Sequence, residues 1–377
     1  MNDLRTYTIG LRRELHMHPE LSGQETWTSG RIQQELDALG IPHETAGDKN
    51  IIGCITNGTG KRIAIRADFD ALPIEEQTEL PWKSQIPGIM HACGHDAHTA
   101  WLLGTARLLK ENLSDWNGMV YLCFQQGEET GLGAKDVLDY LKARGGVDYA
   151  IGAHVMPMFD SGIIDLAPGV RLTGSIIFDV DITGRGGHGA RPDTAVSAAE
   201  IACDMYQQLI RIPANHHEAA RTCVVSPCIV QAGSIFNVIP EKGRVSGTIR
   251  FLGREDGSIL MDKVKNVCEH VAVFHGGSAN VHFDPVAPHP VYNDPGAVQI
   301  GQACIERLGL TLGINEPVSA SDNFGDYLME YPGFYAMIGT RSSRPGTSCV
   351  NHNARFDIDE EMIPKTAQFL FECVRAM

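Results

Sequence analysis

Residues 62–70 read Arg62-Ile63-Ala64-Ile65-Arg66-Ala67-Asp68-Phe69-Asp70, a short β pattern that runs straight into two carboxylates. A second apolar β run, Met119–Phe124, exits into Gln125-Gln126-Gly127-Glu128-Glu129, and a third, Tyr149–Val155, carries His154. Helical periodicity separates them, in the segment after Asp96 and again near 132–143. Strands that alternate with helices predict an α/β fold, a mostly parallel sheet with helices on both faces. Such sheets bind ligands outside the carboxyl ends of their strands. The acids and the histidine fall at that edge, although the strand assignment made no use of them.

The same reading extends outward. Two amphipathic helices are expected near 3–17 and 24–39, the second stopped by Gly40-Ile41-Pro42. A short strand follows at Ile51–Ile55, and residues 70–90, punctuated by Pro73, Pro81 and Pro87, read as irregular. Near residue 173 the pattern changes. The alternating run Ser175–Thr183 enters the turn Gly184-Arg185-Gly186-Gly187-His188-Gly189. A helix (about 194–211), strands near 222–232 and 243–252, a helix near 257–275 and a strand near 279–285 follow. That β-α-β-β-α-β order is the ferredoxin-like arrangement. Residues 173–286 are therefore read as an inserted α+β domain. Residues 1–172 and 287–377 form the discontinuous domain around it, closing in an amphipathic helix at 360–374.

At 377 residues the chain exceeds one typical core, which agrees with two domains. Thirty-one Lys+Arg against 46 Asp+Glu give a formal charge of −15, which disfavours nucleic acid and anionic membrane surfaces as partners. It leaves room for a small anion held by a local arginine. No apolar run reaches about 18 residues, so no membrane span is expected. Met1-Asn2-Asp3-Leu4-Arg5 lacks the apolar centre of a signal peptide, and a cytoplasmic location is expected. The ten cysteines are scattered without a C-x-x-C; nine read as reduced, buried thiols. Cys93 stands apart.

It lies in His91-Ala92-Cys93-Gly94-His95-Asp96-Ala97-His98, which gathers three histidines, a thiol and a carboxylate at the start of a helix. Imidazole, thiolate and carboxylate are the ligands of zinc-like ions. The candidate ligands are Cys93, His95, Glu129, His154 and His352. Gly94 lets the backbone turn sharply between the first two. Of the adjacent acids, one can bind metal while its neighbour takes a proton from water. Each has a plainer alternative: Cys93 a core thiol, His95 a helix cap, Glu128-Glu129 a solvated helix start, His154 a buried structural histidine, His352 a loop residue. His188 is either a turn residue or an active-site donor. His16 and His18 read as a helix end, and His216-His217 as surface loop. Gly186-Gly187 fits no nucleotide fingerprint.

Taken together, several blocks carry a likeness that runs almost the length of the chain. They are Arg13…His16-Met17-His18-Pro19-Glu20-Leu21-Ser22, Arg66-Ala67-Asp68-Phe69-Asp70-Ala71-Leu72-Pro73, Met90-His91-Ala92-Cys93-Gly94-His95-Asp96 and Phe124-Gln125…Glu128-Glu129. Gly152-Ala153-His154, Gly184…Gly187-His188, Asn237-Val238-Ile239-Pro240, Gly247-Thr248-Ile249-Arg250 and Val350-Asn351-His352 follow in order. The chain resembles the dinuclear metallopeptidase family of aminoacylases and glutamate-type carboxypeptidases. Within it, it is most similar to the amidohydrolase branch of hippurate hydrolases, N-acyl amino acid hydrolases and auxin-conjugate hydrolases.

The resemblance implies a zinc-exopeptidase-like domain with two divalent ions (Zn, Mn, Co or Ni) on Cys93, His95, Glu129, His154 and His352. It implies that Glu128 is the general base that activates a bridging water and then protonates the leaving amine. The inserted domain would be a lid and homodimerisation domain; its His188, from this chain or its partner, would polarise the scissile carbonyl. Asn237 and Arg250 would hold the substrate carboxylate, a task suited to the guanidinium fork. Two departures stand out. Gln126-Gly127 replaces the family's more frequent Pro-Ala, and Asp322-Asn323-Phe324 replaces Glu-Asp-Phe. The expected activity is hydrolysis of N-acyl amino acids to a carboxylic acid and an amino acid. Its rivals are a dipeptidase or carboxypeptidase, a binding module without chemistry, and a protein with one structural zinc.

Overall fold

The computed structural model describes residues 2–215, 217–218 and 221–377, which fall into two compact units. The first comprises Met1–Arg171, Val291–Pro317 and Asp326–Met377. Its mixed sheet runs, edge to edge, His43–Ala46, Asn50–Asn57, Gly118–Gln125, Lys61–Asp68, Tyr149–Asp160, Gly333–Arg341, Ile163–Asp165 and Thr311–Gly313. The four strands from Gly118–Gln125 to Gly333–Arg341 are parallel to one another. In the central strand Lys61–Asp68 the last six residues are all buried, as in a sheet covered on both faces.

Helix His95–Glu111 packs on this sheet and is buried over most of its length. Its small residues admit close neighbours: a Cβ on Gly104 would lie 2.6 Å from Thr8 in helix Asn2–Met17 and 3.0 Å from Ala367 in helix Met362–Ala376. Trp101, Leu102, Leu103 and Leu109 join Ile63, Ile65, Leu122, Phe124, Ile151 and Phe369 in one apolar core. Each such aliphatic or aromatic side chain contributes about 1.5–3 kcal/mol on burial. That core fixes the helix N-terminus at the carboxyl edge of the sheet.

The second unit comprises Leu172–Pro290 and Val318–Gly325. Strands Cys223–Ala232, Lys242–Phe251, Gly174–Thr183 and Ser278–Ala287 lie in that order, all antiparallel, with helices Ala198–Leu209 and Asp256–Phe274. This is the ferredoxin-like arrangement. Ile176, Phe178, Val180 and Ile182 point inward to Ile201, Met205, Leu260 and Val264, while Ile177, Asp179 and Asp181 alternate outward.

Several expectations need correction. Residues 318–325, read from sequence as part of the first domain, group with the second. There the Thr173 N–H donates to Ala320 O (2.8 Å) and Leu172 bridges Val318. His154 is not at a strand end. Its strand continues to Asp160, and only its pairing with Lys61–Asp68 stops at Gly152. Of the nine cysteines expected to be buried, Cys123, Cys268, Cys304 and Cys373 are; Cys203 and Cys228 are exposed and Cys54, Cys223 and Cys349 lie between. His217 is not a surface residue, because its side chain is buried 3.3 Å from Asp256; His216 lies outside the described residues. His16 does more than end a helix, as shown below. No helix among the described residues is long and apolar enough to cross a membrane.

Candidate metal centre

Three parallel strands deliver the candidate ligands. Beyond Lys61–Asp68 stands Asp70; beyond Gly118–Gln125 a single 3-10 turn, Glu128–Thr130, presents the two acids; Tyr149–Asp160 carries His154. Cys93 and His95 come from the start of helix His95–Glu111. Gly94 between them has φ +92°, and an added Cβ would lie 2.4 Å from Val155 Cγ2, so only glycine fits. His352 arrives on a loop with φ +67°, the left-handed region, held by its own N–H on Ala92 O (2.8 Å) and by Asn351 Nδ2 on Cys93 O (3.2 Å). A β-carbon-bearing residue there costs about 1 kcal/mol or more, which the surrounding bonds must offset.

The imidazoles converge through one nitrogen each. His154 Nδ1–H donates to Val155 O (2.7 Å), leaving Nε2 3.4 Å from Cys93 Sγ. His95 Nδ1–H donates to Asp70 Oδ1 (3.0 Å), and its Nε2 lies 4.0 Å from Glu129 Oε1. His352 Nε2 lies 3.3 Å from the same oxygen. Backbone or carboxylate on one nitrogen and an aimed second nitrogen is how metal-ligating histidines are oriented. Cys93, His95 and His154 form one group of donor atoms within 4.8 Å; Cys93, Glu129 and His352 form another; His95, Glu128 and Glu129 a third.

His95 Nε2 and Glu129 Oε1 are buried and have no hydrogen-bond partner among the described residues. Asp68 Oδ2 lies 3.5 Å from the first and His352 Nε2 3.3 Å from the second, yet neither makes a hydrogen bond; buried polar atoms are normally satisfied, so this cluster of donors fits a cation among them. The field agrees. Burial, and then the Glu129 carboxylate, push the Cys93 thiol well above its ordinary range. A divalent ion reverses that, since a coordinating thiol is deprotonated.

His98 belongs to a further buried group with Asp68 and His95 but is fully engaged. Its Nδ1–H donates to Asp68 Oδ1 (2.5 Å) and its Nε2 accepts the Val155 N–H (3.1 Å). Burial pushes it down to about 4, Asp68 notwithstanding, so the ring is neutral and has no lone pair to spare. Behind the site, His16 is fully buried on Asp96 (2.7 Å), which Arg12 also engages (2.9 Å).

The remaining expected residues belong to the second unit. His188 sits on the two-residue strand Gly187–His188, paired with Val238–Ile239. Its Nδ1 accepts the Ala190 N–H (3.1 Å), which places the ring proton on Nε2 as a donor. Asn237 O accepts the Gly189 N–H (2.8 Å), so His188 and Asn237 share one clip. Arg250 donates to Ser321 Oγ (3.0 Å), and burial alone lowers its pKa, with no acid opposing. Asp322 and Asn323 are buried, and Asp322 Oδ1 accepts the Phe324 N–H (2.7 Å). At the other departure, Gln126 N–H donates to Asn50 Oδ1 (2.9 Å) and Gly127 has φ +64°.

Asp70 was visible in sequence only as an acid past a strand, and Asn50, Glu25 and His98 had no assigned part. Each touches a ligand or its loop rather than the centre. Two-residue spacing puts Asp68 and Asp70 on one side of the strand exit, the one signal available for Asp70.

Residues 64–376 match the peptidase family M20/M25/M40. The thermostable carboxypeptidase 1 of Saccharolobus solfataricus is 32% identical over 368 residues, covering 96% of this chain and 93% of that one. The N-acetylcysteine deacetylase of Bacillus subtilis is 33% identical over 373 residues, 97% and 96% of the two chains. Among solved structures, the YXEP protein of Bacillus subtilis, a dinuclear metal-binding peptidase from the M20 family, superposes with a TM-score of 0.85. Its identity is 31%, over 100% of this chain and 98% of the other.

Proposed function

The chain belongs to peptidase family M20/M25/M40, and on that premise we propose that it hydrolyses N-acyl amino acids at two divalent ions held by Cys93, His95, Glu129, His154 and His352. It is a metal-dependent hydrolase of amide bonds. The observation that carries the finer reading is the convergence of His95, His154 and His352 on one thiol and one carboxylate, the first two rings oriented through Nδ1, with His95 Nε2 and Glu129 Oε1 making no hydrogen bond among the described residues. Thiolate and imidazole donors favour zinc, cobalt or nickel over manganese. When bound, such a pair of ions supplies Lewis acidity and lowers the pKa of water.

The chain's own residues do the rest. Glu128, beside Glu129 but outside the five ligands, takes the proton from the attacking water and delivers it to the leaving amine. His188 Nε2–H, from this chain or its partner, donates to the scissile carbonyl oxygen as charge develops there. Arg250, half-buried and with no acid opposing its burial among the described residues, and Asn237 receive the carboxylate of the amino-acid moiety. The edge strand Cys223–Ala232, with Val224, Ile229 and Val230 outward, supports a homodimer through the second unit. Ten free thiols support a cytoplasmic location.

The test is a panel of N-acyl amino acids and dipeptides, with zinc, cobalt or manganese added and free amino acid as the readout. Highest kcat/KM on one class of N-acyl amino acids is expected. Higher kcat/KM on dipeptides would favour the carboxypeptidase-like reading that the Saccharolobus solfataricus relative suggests.

A further inference from the structure

The acid pair stands on a turn that glycine makes possible, closed by Leu132 N–H on Gly127 O (2.8 Å) and Gly131 N–H on Glu128 O (2.9 Å) and anchored to the rest of the fold by side chains from elsewhere. Gly127, Gly131 and Gly133 all have positive φ, +64°, +74° and +82°. Glycines reach such conformations freely and leave them as freely. Three side chains from three other elements hold this turn through its N–H groups. Asn50 Oδ1 accepts from Gln126 (2.9 Å), Glu25 Oε1 from Gly127 (2.9 Å) and Asp70 Oδ2 from Glu129 (3.0 Å).

Two of the three have other duties. Asn50 also donates to Ala46 O (2.8 Å) and Gly133 O (3.4 Å), and Asp70 also receives His95 and Ser22. Glu25 is different. It is fully buried at the start of helix Thr26–Ala38, and its Oε2 has no hydrogen-bond partner among the described residues. A buried carboxyl group with one oxygen unsatisfied destabilises the fold relative to an apolar residue of the same size. Its Oε1 accepts from the residue next to Glu128.

We propose that Glu25 is a positioning residue for the hydrolysis: by accepting the Gly127 N–H it fixes the turn that aims Glu128, without itself touching substrate or metal. The proposal rests on Glu128 being the base. Misplacement of a reacting group by about 1 Å costs on the order of 100-fold in rate. Burial pushes the Glu25 carboxyl up to about 7, with the Asp70 charge adding to it. A neutral acid still accepts through its carbonyl oxygen, so glutamine is the faithful substitute and leucine the apolar filler that lacks an acceptor.

The experiment compares Glu25→Gln, Glu25→Leu and Glu128→Gln in the metal-loaded full chain by kcat, KM, metal per chain and urea midpoint. Glu25→Leu should fold and keep its metals, with KM within about twofold and kcat down about 10- to 100-fold. Glu25→Gln should retain kcat within about threefold. Wild-type kcat in Glu25→Leu, an equal loss in both Glu25 variants, or metal lost from Glu25→Leu would overturn the proposal. If Glu25→Leu does not fold, Glu25→Ala takes its place with the same expectations. A dead Glu128→Gln beside a fully active Glu25→Leu sinks the positioning role alone. Turnover in Glu128→Gln sinks the base assignment and the positioning role with it.

Discussion

Glu25 is a carboxyl group held where water does not reach it, and stability must register that. Its ordinary value is 4.5 and burial raises it to about 7 in the fold. Between those values the unfolded chain has lost the proton while the folded chain keeps it. Stability therefore falls as pH rises through this window, is unaffected below it and levels off above. The shift corresponds to about 3 kcal/mol. Glu25→Gln removes the titration, so in metal-free protein it should be more stable than wild type at pH 8 by up to about 3 kcal/mol and equal at pH 4. Urea unfolding at the two pH values checks this, and equal stabilities at pH 8 would contradict the burial argument. At this scale the sequence reveals a residue when its chemistry is unusual for its neighbourhood. Cys93 and His95 stand in a dense cluster of ligand types, and Glu128-Glu129 close an apolar run. Glu25 and Asn50 are ordinary polar residues near element starts, and only the third dimension brings them under the turn.

Among the elements, helix His95–Glu111 depends on its first corner. Gly94 sits at φ +92° with Val155 against the place a Cβ would occupy. Gly94→Ala should lose about 1–3 kcal/mol from backbone strain alone and displace Cys93 relative to His95. Chemical denaturation measures the first, and metal titration of the variant measures the second as weakened binding. Unchanged stability and affinity would show that the corner tolerates a side chain. The long elements were legible because period and length agree. The strands at 62–66 and 119–124 and the helices at 3–17 and 257–275 lie within a few residues of where the pattern puts them. The short additions, His43–Ala46, Ile163–Asp165 and Thr311–Gly313, were not. Three or four residues carry too little periodicity, and the partners of the last two are distant in sequence. His154 sits mid-strand for the same reason: pairing with Gly333–Arg341 prolongs its strand beyond the neighbour that defines the sheet edge.

Across the whole molecule the two units were separable in sequence because the pattern changes sharply near residue 173. Residues 318–325 escaped because bonds to Thr173, not composition, assign them to the second unit. Within the first unit, Arg12 ties three distant stretches together. Fully buried, it engages Asp96 (2.9 Å), Asp357 (3.2 Å) and Glu360 (3.3 Å), from the metal-motif helix and the C-terminal segment. Against the burial penalty, Arg12 and then His16 hold the Asp96 carboxyl well below the carboxylate range. A depressed pKa gives stability present above the unfolded value and lost as pH falls, so this network weakens in acid. Arg12→Met strands buried acids and should destabilise the protein by about 3–5 kcal/mol, read from its urea midpoint. A loss below about 1 kcal/mol would show that the acids find other partners. In the proposed reaction Glu128 must act on a proton and not on a metal. Turnover and metal content of Glu128→Gln, measured together, test that most directly. Metal retained at the wild-type level and kcat down at least about 1,000-fold are expected. Substantial turnover with the metals in place would contradict that role.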